Sequence, residues 1–182
     1  MWTSLLTAVK AALGPRALAL LLLALLPASQ GTHAATQVPG GAAPLDPELR
    51  CLALNIYFEA RGEPEAGRLA VGHVVLNRME DPRFPDTICA VVKQGGEDRL
   101  HRCQFSWWCD GQSDTPRDAA AWAQSRQAAQ KVYWALDPDP TGGALWYHAH
   151  YVAPDWRHRF VRSAVIGQHI FYQRATQVAA RN

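Results

Sequence analysis

Charge is scarce in this sequence: Asp, Glu, Lys and Arg make up only 19% of its 182 residues, while 48% are hydrophobic. Such a chain has material for a core and is not a solvated, disordered polymer. A surplus of one sign is missing as well. The formal net charge is +2, and Lys10 and Arg16 supply it; without them 16 basic side chains face 16 acidic ones. A balanced chain lacks the electrostatic footprint of a nucleic-acid binder, so nucleic acid is not an expected partner. A carbohydrate polymer, held by hydrogen bonds and aromatic stacking, is not excluded. No apolar run reaches the roughly 20 residues that span a bilayer. CxxC and HExxH are both absent, and no internal repeat is visible. The commonest local signatures of thiolate zinc and of helix-borne zinc peptidases are therefore missing.

What is present begins with a leader. Residues 1–35 read as an export signal. Lys10 and Arg16 form its basic start, and Ala17 to Ala28 an apolar stretch of 12. Small residues follow, which places cleavage near 30–36; an uncleaved anchor is the alternative. Residues 36–46 read as a linker, 47–175 as one domain and 176–182 as a C-terminal tail. Four cysteines, Cys51, Cys89, Cys103 and Cys109, follow the leader. An even number in an exported chain favours disulfides over a four-thiolate zinc site. Three pairings are possible. Cys103 with Cys109 would close a short loop around Gln104–Trp108, leaving Cys51 for Cys89.

Helices come first along the domain. Asp46-Pro47-Glu48 is a helix start, with a capping carboxylate, a proline in the first turn and an acid at the positive end of the dipole. Leu49, Leu52, Ala53, Ile56 and Ala60 recur at helical spacing, and Gly62 ends the element. A second helix is expected from Pro64 to about Met79, and a short third through Ile88, Val91 and Val92. Residues 94–115 read as a long loop. A fourth helix is expected from Thr115 to Leu136. Ala144–Val152 and Phe160–Tyr172 are rich in aromatic and β-branched residues and read as short antiparallel strands. Helices followed by strands make an α+β domain.

The densest chemistry is Phe58-Glu59-Ala60-Arg61-Gly62-Glu63. Glu59 lies on the flank of the apolar stripe beside Leu52 and Ile56. Burial there raises a carboxyl pKa, which suits a general acid. A Glu63 anion would push the same way and Arg61 would oppose it. The alternative is a surface ion-pair group that ends a helix. Gln104, Phe105, Ser106 and Trp107 form a candidate sugar-binding segment, and Tyr147 a second wall, against the alternative of buried aromatics. Asn77 is a candidate cleft residue, and Arg78 reads as helix-terminal capping. His101, His148, His150, His158 and His169 have no carboxylate at ligand spacing, so no metal or cofactor is expected.

Tyr57–Glu63 (YFEARGE), Gly67, Ala70-Val71, Val74–Arg78 (VVLNR) and Phe84-Pro85 together resemble the spore-cortex-lytic, SleB-type cell wall hydrolases. The likeness continues at Gln104–Trp107, Ala144–Tyr147 and Ile166–Tyr172 (IGQHIFY), and so covers about residues 49–173 in the family's order. One departure stands out: the family usually has Gly before its first Glu, where this chain has Phe58. The resemblance implies a lysozyme-like fold, a helical core with a small antiparallel sheet from the C-terminal part. It implies cleavage of the β-1,4 bond between N-acetylmuramic acid and N-acetylglucosamine by a single acid/base, which falls on Glu59, with Glu63 as second candidate. Peptidoglycan strands are then the partner of an exported, monomeric enzyme, with the periplasm the preferred compartment and an envelope regulator left open. The rivals are a metal-dependent amidase or peptidase acting on the peptide stems, and a non-catalytic wall-binding protein.

Overall fold

A computed structural model describes residues 45–96 and 102–179. The expected leader, nearly all of the linker, the last three residues of the tail and His101 lie outside them.

The first helix, α1 (Pro47–Ala60), starts as its sequence dictates: an Asp46 carboxylate oxygen accepts from the Glu48 and Leu49 amides at 2.9 and 3.2 Å. Leu52, Ala53, Ile56 and Tyr57 are buried along it. The second, α2 (Glu65–Glu80), crosses α1 at Gly72. A methyl group added there would stand 3.0 Å from Ile56 and 3.1 Å from Val132, so glycine permits the close approach of three helices. The short α3 (Ile88–Val92) is capped by the Thr87 hydroxyl. The next helix, α4 (Ala119–Tyr133), begins four residues later than expected. The Tyr57 hydroxyl accepts from the amides of Arg117 and Asp118, both at 3.1 Å, and this holds the segment extended until the Asp118 carboxylate caps the helix. It also ends three residues early, where Ala135 turns left-handed with φ 51°.

Three antiparallel strands follow in the order β1-β3-β2: β1 (Trp146–Ala149), β2 (Val161–Ile166) and β3 (His169–Gln173). The stretch read as one strand region, 160–172, thus folds into a hairpin. Its turn contains Gly167 at φ +57°, a conformation that costs little without a Cβ. Tyr147 faces Phe171 across the β1–β3 ladder. A short helix, α5 (Ala175–Ala179), occupies part of the expected tail, and the Gln177 amide reaches the Gly143 carbonyl at 3.3 Å.

The core has two parts. One unites α1, α3 and α4 with Phe105 and Trp107. The other packs Ala70, Val71 and Val74 of α2 against Ala144 and Phe171 of the sheet side. Disulfides Cys51–Cys89 and Cys103–Cys109 tie α1 to α3 and close the loop before α4. The result is the α+β class, helical with a small antiparallel sheet. Among the described residues no helix is long and apolar enough to cross a membrane.

Candidate active site

Glu59 lies in the last turn of α1, half-buried. Its Oε2 accepts a 3.0 Å hydrogen bond from the Tyr147 hydroxyl on β1. Burial pushes its carboxyl above the usual range, against the pull of the Tyr147 bond and the Arg78 cation. The sign is the one a general acid needs. Burial, and then the neighbouring Glu59 charge, push the Tyr147 phenol well above its ordinary value. The phenol therefore stays protonated and serves as a donor.

Arg78, in the last turn of α2, is only 2% exposed. Its Nε donates to the Leu145 carbonyl at 2.7 Å, and its guanidinium lies 5.5 Å from the Phe84 ring centroid and 5.3 Å from that of Phe105. With the Gln104 carboxamide oxygen turned inward, both Arg78 Nη atoms stand 3.3 Å from it. Burial lowers the Arg78 pKa to about 10, so it is still a cation at neutral pH. Its burial replaces the helix-terminal capping role expected of it. A signal was available: Val71, Val75 and Arg78 share one helical face, and both valines are fully buried.

Beside Tyr147 opens a hollow of about 360 Å³ that takes in Arg78, Gln104, Trp146, Trp156, Arg159 and Phe160. Trp146 stacks on Phe160 with centroids 3.8 Å apart, and Trp156 meets Phe160 edge-on at 6.0 Å. Aromatic faces beside a carboxamide and two guanidiniums suit a polar, ring-shaped ligand such as a sugar. Trp146, Trp156, Arg159 and Phe160 were missed as site residues, although the aromatic density of 146–160 marked the region.

The other expected site residues divide. Gln104 and Ser106 are exposed, and Gln104 lines the hollow. Phe105 and Trp107 are not open to a ligand and correct the sequence expectation. Phe105 is a core residue beneath Arg78. Trp107 is 7% exposed, donates its Nε1 hydrogen to Asn55 Oδ1 at 3.2 Å, and has a face covered by Phe58 at 4.7 Å. Phe58, the residue before Glu59, thus completes an aromatic stack. Asn77 also departs from expectation. Its Nδ2 donates to Asp139 Oδ2 and the Ala144 carbonyl, both at 3.0 Å, so its amide pins the loop entering β1.

Glu63 is buried away from Arg61. Its Oε2 accepts from the Gln168 amide at 2.9 Å, and its Oε1 stands 3.9 Å from His169 Nδ1. It clamps the β2–β3 turn to the start of α2. Arg61 instead lies over the Tyr57 ring at 5.5 Å. The three charged side chains diverge, and the surface ion-pair alternative falls. Two of the histidines are engaged: His148 bonds the Ala149 carbonyl and the Tyr172 hydroxyl, both at 2.9 Å, and His150 the Gln168 carbonyl at 3.1 Å. Among the described residues no three His, Cys, Asp or Glu side chains are grouped to hold a metal ion.

A family model described as Cell Wall Hydrolase matches residues 62–172, a stretch that begins three residues after Glu59. The chain is similar to the spore cortex-lytic enzyme of Halalkalibacterium halodurans, at 36% identity over 139 residues, covering 75% of this chain and 37% of that one. It is 32% identical over 122 residues to the spore cortex-lytic enzyme of Bacillus subtilis, covering 62% and 36%. The chain spans between a third and a half of the length of such curated relatives. Among solved structures it is similar to the catalytic domain of the germination-specific lytic transglycosylase SleB from Bacillus anthracis. That match has a TM-score of 0.56 and 27% identity, over 74% of this chain and all of that one. The catalytic domain of the Bacillus cereus SleB protein matches at a TM-score of 0.52 and 29% identity, over 75% and 100%.

Proposed function

This chain belongs to the cell wall hydrolase family, and on that footing we propose that it cuts peptidoglycan glycan strands between N-acetylmuramic acid and N-acetylglucosamine, with Glu59 as its single acid/base. The observation that carries the reading is the half-buried Glu59 carboxyl, raised in pKa and bonded to Tyr147, which itself lines the aromatic hollow. Neutral Glu59 gives its proton to the leaving glycosidic oxygen as the muramoyl C1–O bond breaks. The Tyr147 hydroxyl occupies Oε2, which leaves Oε1 for the substrate. The C6 hydroxyl of the same muramoyl unit then attacks C1 while the Glu59 carboxylate takes the hydroxyl proton. The products are a 1,6-anhydromuramoyl end and a free N-acetylglucosamine end, and Glu59 is neutral again. No second carboxylate nucleophile is needed, unlike the retaining pair of an ordinary glycosidase. Arg78 steadies the transient carboxylate by its charge.

Gln104 and Ser106 are the loop members that meet the sugar. Glu63 is a positioning residue: it holds the hairpin turn, β3 follows that turn, and Phe171 on β3 faces Tyr147. The enzyme works as a monomer outside the cytoplasm, in the periplasm, on glycan strands.

The test digests purified peptidoglycan with wild-type protein and with Glu59→Gln, and reads the muropeptides by mass. Anhydro-muropeptides from the wild type alone support the proposal. Reducing-end products mean that water attacks instead. Equal activity in the variant removes Glu59 from the mechanism, and loss of wild-type activity with a chelator would move the reading to a metal-dependent amidase.

A further inference from the structure

Phe58, the chain neighbour of Glu59, borders a second hollow, of about 260 Å³. One residue along a helix turns the side chain by about 100°, so this hollow opens on an adjacent flank of α1. Arg61, Gln112, Ser113 and Arg117 line it together with Tyr57. No acid is among its lining residues. Both arginines are exposed. The ion pairs of the described residues use Arg83, Lys131 and His169, and leave these two guanidiniums without a carboxylate.

Both arginines are anchored on Tyr57, Arg61 by its guanidinium and Arg117 by its backbone. Buried Tyr57 places its ring under Arg61 at 5.5 Å, and its hydroxyl accepts from the Arg117 backbone amide at 3.1 Å. The end of α1 and the approach to α4 are thereby fixed to each other. Phe58, backed by the buried Trp107 ring, supplies a firm apolar wall. A paired cationic site with amide and hydroxyl groups at hand and an apolar side suits a short peptide bearing carboxylates. Guanidinium forks bind carboxylates with directional hydrogen bonds.

Peptidoglycan presents such a group close to the cut. The muramoyl sugar whose C1 bond breaks carries the peptide stem on its lactyl ether, and the stem bears several carboxylates. We propose that the hollow at Phe58, Arg61 and Arg117 receives this stem, so that the enzyme reads the peptide as well as the glycan. The inference rests on the assignment of the cut to the muramoyl bond.

Two measurements test it. The first compares kcat/KM on stem-bearing strands with kcat/KM on strands stripped of stems, for wild type and for Arg61→Gln/Arg117→Gln. Wild type should favour stem-bearing strands by about tenfold, the worth of two exposed charge-assisted contacts, and the double variant should bring that ratio near one. A wild-type ratio near one, or a ratio unmoved in the variant, overturns the proposal. The second titrates the free stem peptide into both proteins by calorimetry, without any turnover. Binding to wild type that weakens about tenfold in the double variant supports the site, and equal or absent binding overturns it. Should the wild type cut neither kind of strand, the glycan-cleaving reading fails, and the calorimetric result alone decides the stem site. Thermal melts establish that both proteins are folded.

Discussion

The Glu59–Tyr147 bond joins two walls, one of helices and one of sheet, that are held in different ways. The helical wall, α1 with α2 and α4, carries Glu59 and rests on buried apolar contacts: Leu52, Ile56, Val75, Ala129 and Val132 are all fully enclosed. The sheet wall carries Tyr147; it shares a smaller apolar cluster with α2, where Phe171 and Ala144 meet Val71 and Val74, and polar links reinforce it. Glu63 holds the Gln168 amide, Arg78 holds the Leu145 carbonyl and Asn77 holds the Ala144 carbonyl. Packing therefore sets where the acid is, and a few hydrogen bonds from 67 to 105 residues away in sequence help to set how acidic it is. Changes to the two walls should separate in their effects.

The largest expected effect lies on the helical wall. Glu59→Gln should lower turnover by about 10³-fold, the middle of the range for a lost general acid/base, measured by release of muropeptides. Stability should move the other way. A carboxyl with a raised pKa in the folded state binds more protons there than in the unfolded chain. Stability thus falls as pH rises from the unfolded value through the folded one. The glutamine has no such charge to bury, so Glu59→Gln should melt above wild type at neutral pH and lose the advantage in acid. A variant melting below wild type at every pH would contradict the burial assigned to Glu59.

Next comes the clamp between the walls. A Cβ at Gly167 would stand 1.8 Å from Glu63 Oε2, on a backbone at φ +57°. Gly167→Ala should cost about 3 kcal/mol through strain and loss of the clamp, read in denaturant melts, with activity falling in step. Glu63→Gln should cost less, because an amide oxygen can still accept from Gln168. Third, Cys103→Ser/Cys109→Ser opens a loop of sequence separation 6. Its loss should cost about 2 kcal/mol by loop-closure entropy. KM should rise more than kcat falls, since the loop carries Gln104 and not the acid.

The same contrast explains what could be read beforehand. The start of α1 was legible because Asp46, Pro47 and Glu48 act on their own amides, and the α1 stripe and α3 because burial there follows local periodicity. The burial of Arg78 was legible from the face it shares with Val71 and Val75, but its partners were not, because Phe84, Phe105 and the Leu145 carbonyl reach it only through the tertiary fold. Trp107 looked like a loop aromatic among polar neighbours, and its partner Asn55 lies 52 residues earlier. The start of α4 was misjudged because the Tyr57 hydroxyl holds amides that local propensity assigned to the helix. Glu59 was singled out by its flank position and the YFEARGE pattern, whereas its hydrogen bond to Tyr147 is a tertiary fact.

The smallest expected effect is the one that tests the division most directly. Tyr147→Phe keeps the ring that packs on Phe171 at 5.6 Å and removes only the hydroxyl that donates to Glu59. That bond favours the ionised carboxylate, so without it the Glu59 pKa should rise further. A hydrogen bond to a charged group is worth about 1.5 kcal/mol, or roughly one pH unit. The alkaline limb of the pH–kcat/KM profile should therefore move up by about one unit, as the proton is kept to higher pH. The plateau should fall by about tenfold, because the carboxylate formed at the transition state loses a fixed donor. Wild-type Tyr147 stays protonated throughout this range, so its own titration does not confuse the limb. Turbidity assays on peptidoglycan across pH measure both changes. A lower plateau with an unmoved limb would confine Tyr147 to shaping the cleft and return control of the proton to burial on α1.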